Sequence, residues 1–138
     1  MSDLLSRVLL PIASAEDAEA TGRALGAHDP AHVVAVHVVE KAGGAVDKAS
    51  VEQREEAAEA AFEVLRAEFG EDLDTEIHYG TDVAETIFAA AADHDASAIV
   101  FTPRGGSRWI QLLTGDVALD LITDTDRPVI VLPDVEDA

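Results

Sequence analysis

Short runs of apolar residues alternate along this chain with longer stretches in which apolar positions recur every three to four residues. Arg7 to Ala13 (RVLLPIA) reads as a buried strand, and Ser14 with Asp17 three residues on makes a helix start for residues 15 to 27. A second strand is expected at 32 to 39 (HVVAVHVV), whose near-continuous valines suit a strand covered on both faces, as in parallel sheets. Residues 41 to 50 (KAGGAVDKAS) form a flexible stretch. Ser50 and Gln53 then make a capping box for an Ala- and Glu-rich helix running to Phe69, where Gly70 stops it. Val51, Ala58, Phe62 and Leu65 form its buried stripe, while Glu52, Glu55, Glu56, Glu59 and Glu63 form its solvated side.

Thr75 to Tyr79 is a short third strand, Asp82 with Glu85 caps a helix to about His94, and Ala98 to Thr102 is a fourth strand. Gly115 opens the last helix, and Pro128 to Pro133 (PVIVLP) is a fifth strand. Strands alternating with helices of this length join as parallel pairs through right-handed crossovers, so the expected fold is a doubly wound, three-layer α/β sandwich. A length of 138 residues suits one such domain, spanning 1–138. In these sheets ligands lie beyond the carboxyl ends of the strands, which directs attention to the loops beginning near Ala13, Val38 and Thr102.

Charge narrows the choice of partner. Twenty-eight acids stand against nine bases, a formal net charge of −19, and such a field repels nucleic acids and anionic membranes. Only two of the bases are lysines, Lys41 and Lys48. Acid excess with scarce lysine suits a salt-rich cytoplasm, because in about 1 M salt the Debye length falls to about 3 Å and like-charge repulsion is screened. The composition therefore predicts a halophilic, cytoplasmic protein with an acidic surface. Asp3 and Arg7 spoil the signal-peptide pattern of the opening residues, and no apolar run is long enough for a membrane span. Without cysteine, disulfides and thiolate metal sites are excluded.

The richest candidate chemistry lies between Thr102 and Asp116. Gly105 and Gly106 follow an apolar strand and Gly115 opens a helix, an arrangement in which backbone N–H groups and a helix terminus can cradle an anion. Arg104 and Arg108, two of only nine cations, flank this loop, and Thr102 and Ser107 add hydroxyls. The competing reading is a solubilised surface loop whose arginines pair with nearby acids. Asp116 opposes the anion: a unit charge pair at 4 Å is worth about 1 kcal/mol in water and about 4 at an effective dielectric of 20. Its structural role would be to stabilise the first turn of a helix. A Mg²⁺ bridging it to a ligand is the rival reading.

Other constellations carry less. The histidines His28, His32, His37, His78 and His94 do not make a metal site by spacing, since Pro30 separates the first two from a shared helical face. Ser107 lacks a nucleophile elbow, the first loop (SAEDAEATG) lacks a dinucleotide fingerprint, and Ala13 and Tyr79 stand where a phosphorylated receiver needs acids. Trp109 suits packing or an interface better than base stacking.

RVLLPIASAEDA, VHVVE, the Gly80 loop, Gly105 and Gly115 with nine residues between them, and RPVIVLP together resemble the universal stress protein family over essentially the whole chain. The resemblance implies a five-stranded sheet in the order 3-2-1-4-5 and homodimerisation through the last strand, here Val129, Ile130, Val131 and Leu132. It also implies, in one subgroup, ATP at the carboxyl edge of the sheet. Gly105 and Gly115 match the second and third glycines of that subgroup's motif, and Val38 matches a position whose backbone meets adenine. Three positions depart: Thr102 replaces the first glycine, Asp116 replaces the phosphate-contacting hydroxyl, and Ala13 replaces an acid. A dimeric stress-response module working through contact with an unknown protein partner, without a cofactor or enzymatic activity, is the expected function. The alternative is a protein binding ATP with Mg²⁺, another nucleotide or a small anion through Ala13, Val38, Thr102, Arg104, Gly105, Gly106, Ser107, Arg108, Gly115 and Asp116, with or without slow ATPase activity.

Overall fold

The computed structural model describes residues 4–12, 15–40, 48–80, 83–101 and 126–132. Strand β1 (Val8–Pro11) is followed by α1 (Ala15–Gly26), β2 (Val33–Glu40), α2 (Lys48–Phe69), β3 (Asp74–Gly80), α3 (Val83–Asp93), β4 (Ala98–Phe101) and β5 (Val129–Val131). The strands form one parallel sheet in the order β3-β2-β1-β4-β5, as the family resemblance implies. Val8 lies opposite Val33 on one side and Ala98 on the other, which makes β1 the central strand.

Two apolar layers cover the sheet. Alternation along a strand sends successive side chains to opposite faces. Val8, Leu10 and Ile12 thus join Leu25, Phe62 and Leu65 of α1 and α2. Leu9, Val34, Val36 and Ile99 join Ile87 and Ala91 of α3. Val8–Pro11 of β1, residues 33–39 of β2 and residues 98–100 of β4 are buried, whereas β3 and β5, at the two edges, are largely half-exposed.

Helix α2 begins at Lys48, so Ser50 is its third residue and the expected capping box does not mark its start. Lys48 and Ala49 are good helix formers, and their propensity extends the helix past the Ser50 signal. Val51, close to this earlier start, is half-buried, while Ala58, Phe62 and Leu65 are fully covered. Gly70 does end the helix, with φ +98°, where a side chain would be strained. Asp29 and Asp95 take the same left-handed turn after α1 and α3, at φ 54° and 51°. At the end of β3, a Cβ added to Gly80 would collide with the Thr86 hydroxyl of α3, so the close approach requires glycine.

Candidate functional site

The carboxyl ends of β1, β2 and β4 converge because parallel strands all point the same way. Ile12 donates its N–H to Val36 O at 2.8 Å and so carries the β1–β2 ladder to the point where the chain leaves the sheet. His37 fixes that exit. It is 6% exposed within a run of valines, and its Nδ1 lies 2.8 Å from the Ile12 carbonyl oxygen. A carbonyl only accepts, so Nδ1 carries the proton. Beside it, Val38 is buried on the α3 face with Ala84 and Ile87, and its backbone sits in register with His78 of β3. Of the candidate nucleotide- or anion-binding positions, Val38 alone falls among the described residues. Ala13, Thr102, Arg104, Gly105, Gly106, Ser107, Arg108, Gly115 and Asp116 lie outside them, as do Ser14, Asp82 and Trp109.

At the far edge, the candidate interface residues Val129, Ile130, Val131 and Leu132 all fall among the described residues. Val129 packs against the α3 layer, Ile130 and Leu132 against the α1–α2 layer, and Val131 is 47% exposed. Arg127 anchors the start of this strand. Its guanidinium donates to the carbonyls of Ala91 at 2.7 Å and Ala96 at 3.3 Å, and a bond to Asp126 holds its pKa above the ordinary value.

A second polar cluster was not legible in the residue order. Glu76 Oε1 lies 2.7 Å from His78 Nε2, and its Oε2 lies 2.9 Å from His94 Nε2, joining β3 to the end of α3. Burial acts to raise the Glu76 pKa, but hydrogen bonds from His94 and His78 hold it below the ordinary carboxylate value. A depressed folded-state pKa gives stability that is present above the unfolded value of 4.5 and lost as pH falls through the folded one. Glu76→Gln should therefore flatten the acid limb of the stability curve below about pH 4.5, by no more than about 1 kcal/mol for so exposed a group. Urea unfolding at a series of pH values checks this, and an unchanged acid limb counts against it.

The remaining histidines are dispersed. His32 Nε2 pairs with Asp74 Oδ2 at 2.8 Å, and His28 is exposed. Among the described residues no three ligand-type side chains are grouped so as to hold a metal ion. Among them, too, no helix is long and apolar enough to cross a membrane.

Comparison with known proteins decides the family. The universal stress protein family model matches residues 5–133. The chain belongs to the universal stress protein family. A universal stress protein from Archaeoglobus fulgidus shares the fold at 22% identity, covering 91% of this chain and 97% of its own, with a TM-score of 0.67. The universal stress protein from Archaeoglobus fulgidus solved in complex with dAMP is 24% identical, covering 94% and 99%, with a TM-score of 0.63. UspA from Lactobacillus plantarum is 22% identical, covering 95% and 99%, with a TM-score of 0.62. No curated protein matches this universal stress family member.

Proposed function

We propose that this universal stress family member is a homodimeric regulatory module of the stress response, acting through contact with another protein, with ATP binding weak or lost. The observation that carries the reading is the contrast between the two sheet edges. Strand β3 presents Asp74, Glu76 and His78 at its edge of the sheet, whereas β5 is Val-Ile-Val with Val131 47% exposed. An apolar, charge-free edge is satisfied by pairing, and a second copy supplies the same edge. The acid excess and lysine scarcity support a halophilic, cytoplasmic setting. A melting temperature that fails to rise between low and molar KCl would remove that part of the reading.

Loss of ATP binding rests on chemistry in the sequence: Ala13, Thr102 and Asp116 replace an acid, a glycine and a hydroxyl that the family's ATP-binding subgroup uses. Asp116 has the greatest weight, since it turns an attraction for phosphate into a repulsion of about 1 to 4 kcal/mol. Isothermal titration with ATP and Mg²⁺ in molar KCl should show no micromolar binding by the parent protein. Asp116→Ser should tighten binding by at least about tenfold. Micromolar binding by the parent would instead favour nucleotide or anion binding with slow hydrolysis, a reading supported by the Archaeoglobus fulgidus neighbour in complex with dAMP and by Arg104 and Arg108 beside Gly105 and Gly106.

A further inference from the structure

The carboxyl half of edge strand β3 and the flank of α3 border a groove of about 410 Å³ on the side of the sheet opposite α1 and α2. Contacts place the strand faces. Ile77 packs in the α1–α2 layer, and Thr75 and Tyr79 hydrogen-bond to Arg66 and Glu55 of α2. Glu76 and His78 point the other way, toward α3, where Glu76 meets His94. Strand β3 is seven residues long and terminal in the sheet, and among the described residues no strand pairs with its outer edge.

We propose that this groove takes an extended, cationic segment of a partner protein, which adds to β3 as a further strand. The inference rests on the protein-contact reading and gives the partner its chemistry. Strand addition uses the outward-facing backbone groups of an edge for affinity and alternate side chains for selection. Gly80, Ala89 and Ala90 line the groove with small residues, which leaves room for an incoming backbone. Glu85 and Asp93, both exposed, border it eight positions apart on α3, with Ala89 midway between them. Side chains four and eight positions apart on a helix lie along one row, so the two carboxylates are about 12 Å apart. Residues four apart on a strand share a face and lie about 13 Å apart. Lysine or arginine at those two positions of a docked strand therefore meets Glu85 and Asp93 in register.

The other charged groups on this side agree with the assignment. Asp74 and Glu76 add negative charge along β3, and the imidazoles of His32, His78 and His94 are engaged with them. A second copy of the chain would bring its own acids against these, and like charges facing across strands are destabilising. Nucleic acid is repelled for the same reason. The acids that guard this edge against self-association thus select a strand of opposite charge.

A protein of net charge −19 attracts cationic peptides at large, so the test must separate register from charge. The probe is a fluorescein-labelled extended peptide of valine, threonine and serine with two lysines four residues apart. Its isomer has the lysines three apart, which a strand turns to opposite faces. Fluorescence anisotropy with the full chain at about 0.1 M salt should show the first peptide binding at least about tenfold tighter than the isomer. Asp93→Asn, alone and with Glu85→Gln, should move its affinity toward that of the isomer. Ala89→Phe, at an exposed position, should block the groove while leaving thermal unfolding unchanged. Amide exchange along Asp74–Gly80 should slow when the first peptide binds. Equal affinities for the two isomers, or unaltered exchange on β3, would overturn the proposal. A monomeric mass in light scattering would count against pairing through β5 and leave these readouts intact, so the two failures are distinguishable.

Discussion

Light scattering in molar KCl should give twice the chain mass for the parent protein and the single-chain mass for Val131→Lys. Strand β5 pairs with β4 through Ile99–Val129, Val100–Ile130 and Phe101–Val131, and its other edge faces no described strand. Two-fold pairing would bring this edge against its twin, so a substitution in one protomer is met by the same substitution in the other. Lysine at 131 would place two ammonium groups in the seam. Molar salt screens their repulsion, but the desolvation of each remains, and together these effects cost several kcal/mol, or about a hundredfold or more in dissociation constant. Val131 is nearly half exposed in the single chain, so folding should change by no more than about 0.5 kcal/mol. Equal masses for the two proteins would mean that β5 is not the seam.

The largest expected effect on folding comes from Phe62→Ala, about 3 to 5 kcal/mol. Phe62 is 1% exposed and stands first by volume among the fully buried side chains of the described residues, on the face of α2 that covers Leu10 and Leu25. Truncation removes the transfer free energy of the ring and leaves a cavity that the surrounding aliphatic groups can fill only in part. Set against a total stability of about 5 to 15 kcal/mol, this is a large share. In urea the midpoint should fall by about 2 M with little change of slope. A fall of less than about 0.5 M would show that α2 repacks or that the layer beneath it is loosely filled.

How much of this was legible depends on whether a signal is local. The valines of β2 announce a buried parallel strand because each residue sees the same apolar surroundings on either face, and β2 indeed lies inside the sheet. Strand order came from the family resemblance; the alternation of elements alone gave only the parallel α/β class. The start of α2 differs from the sequence expectation because a capping signal at Ser50 competes with the helix propensity of Lys48 and Ala49, and the propensity prevails. Spacing gives His37 no role as a metal ligand. Its better signal was a lone polar residue within a valine run, which must find a partner if the strand is buried, and the Ile12 carbonyl is one. The meeting of Glu76, His78 and His94 had no such signal, since His94 lies eighteen positions after Glu76 and only the return of α3 along β3 brings them together. The glycines and arginines from Arg104 to Gly115 were legible as candidate chemistry, but those positions lie outside the described residues.

The contact between Gly80 and Thr86 sets an order on how this corner of the protein can evolve. A methyl group arriving first at position 80 meets the threonine hydroxyl and is rejected, whereas Thr86→Ala vacates the space and makes Gly80→Ala acceptable afterwards. Of the two mutational paths to the same double variant, one passes through a sound intermediate and the other through a damaged one.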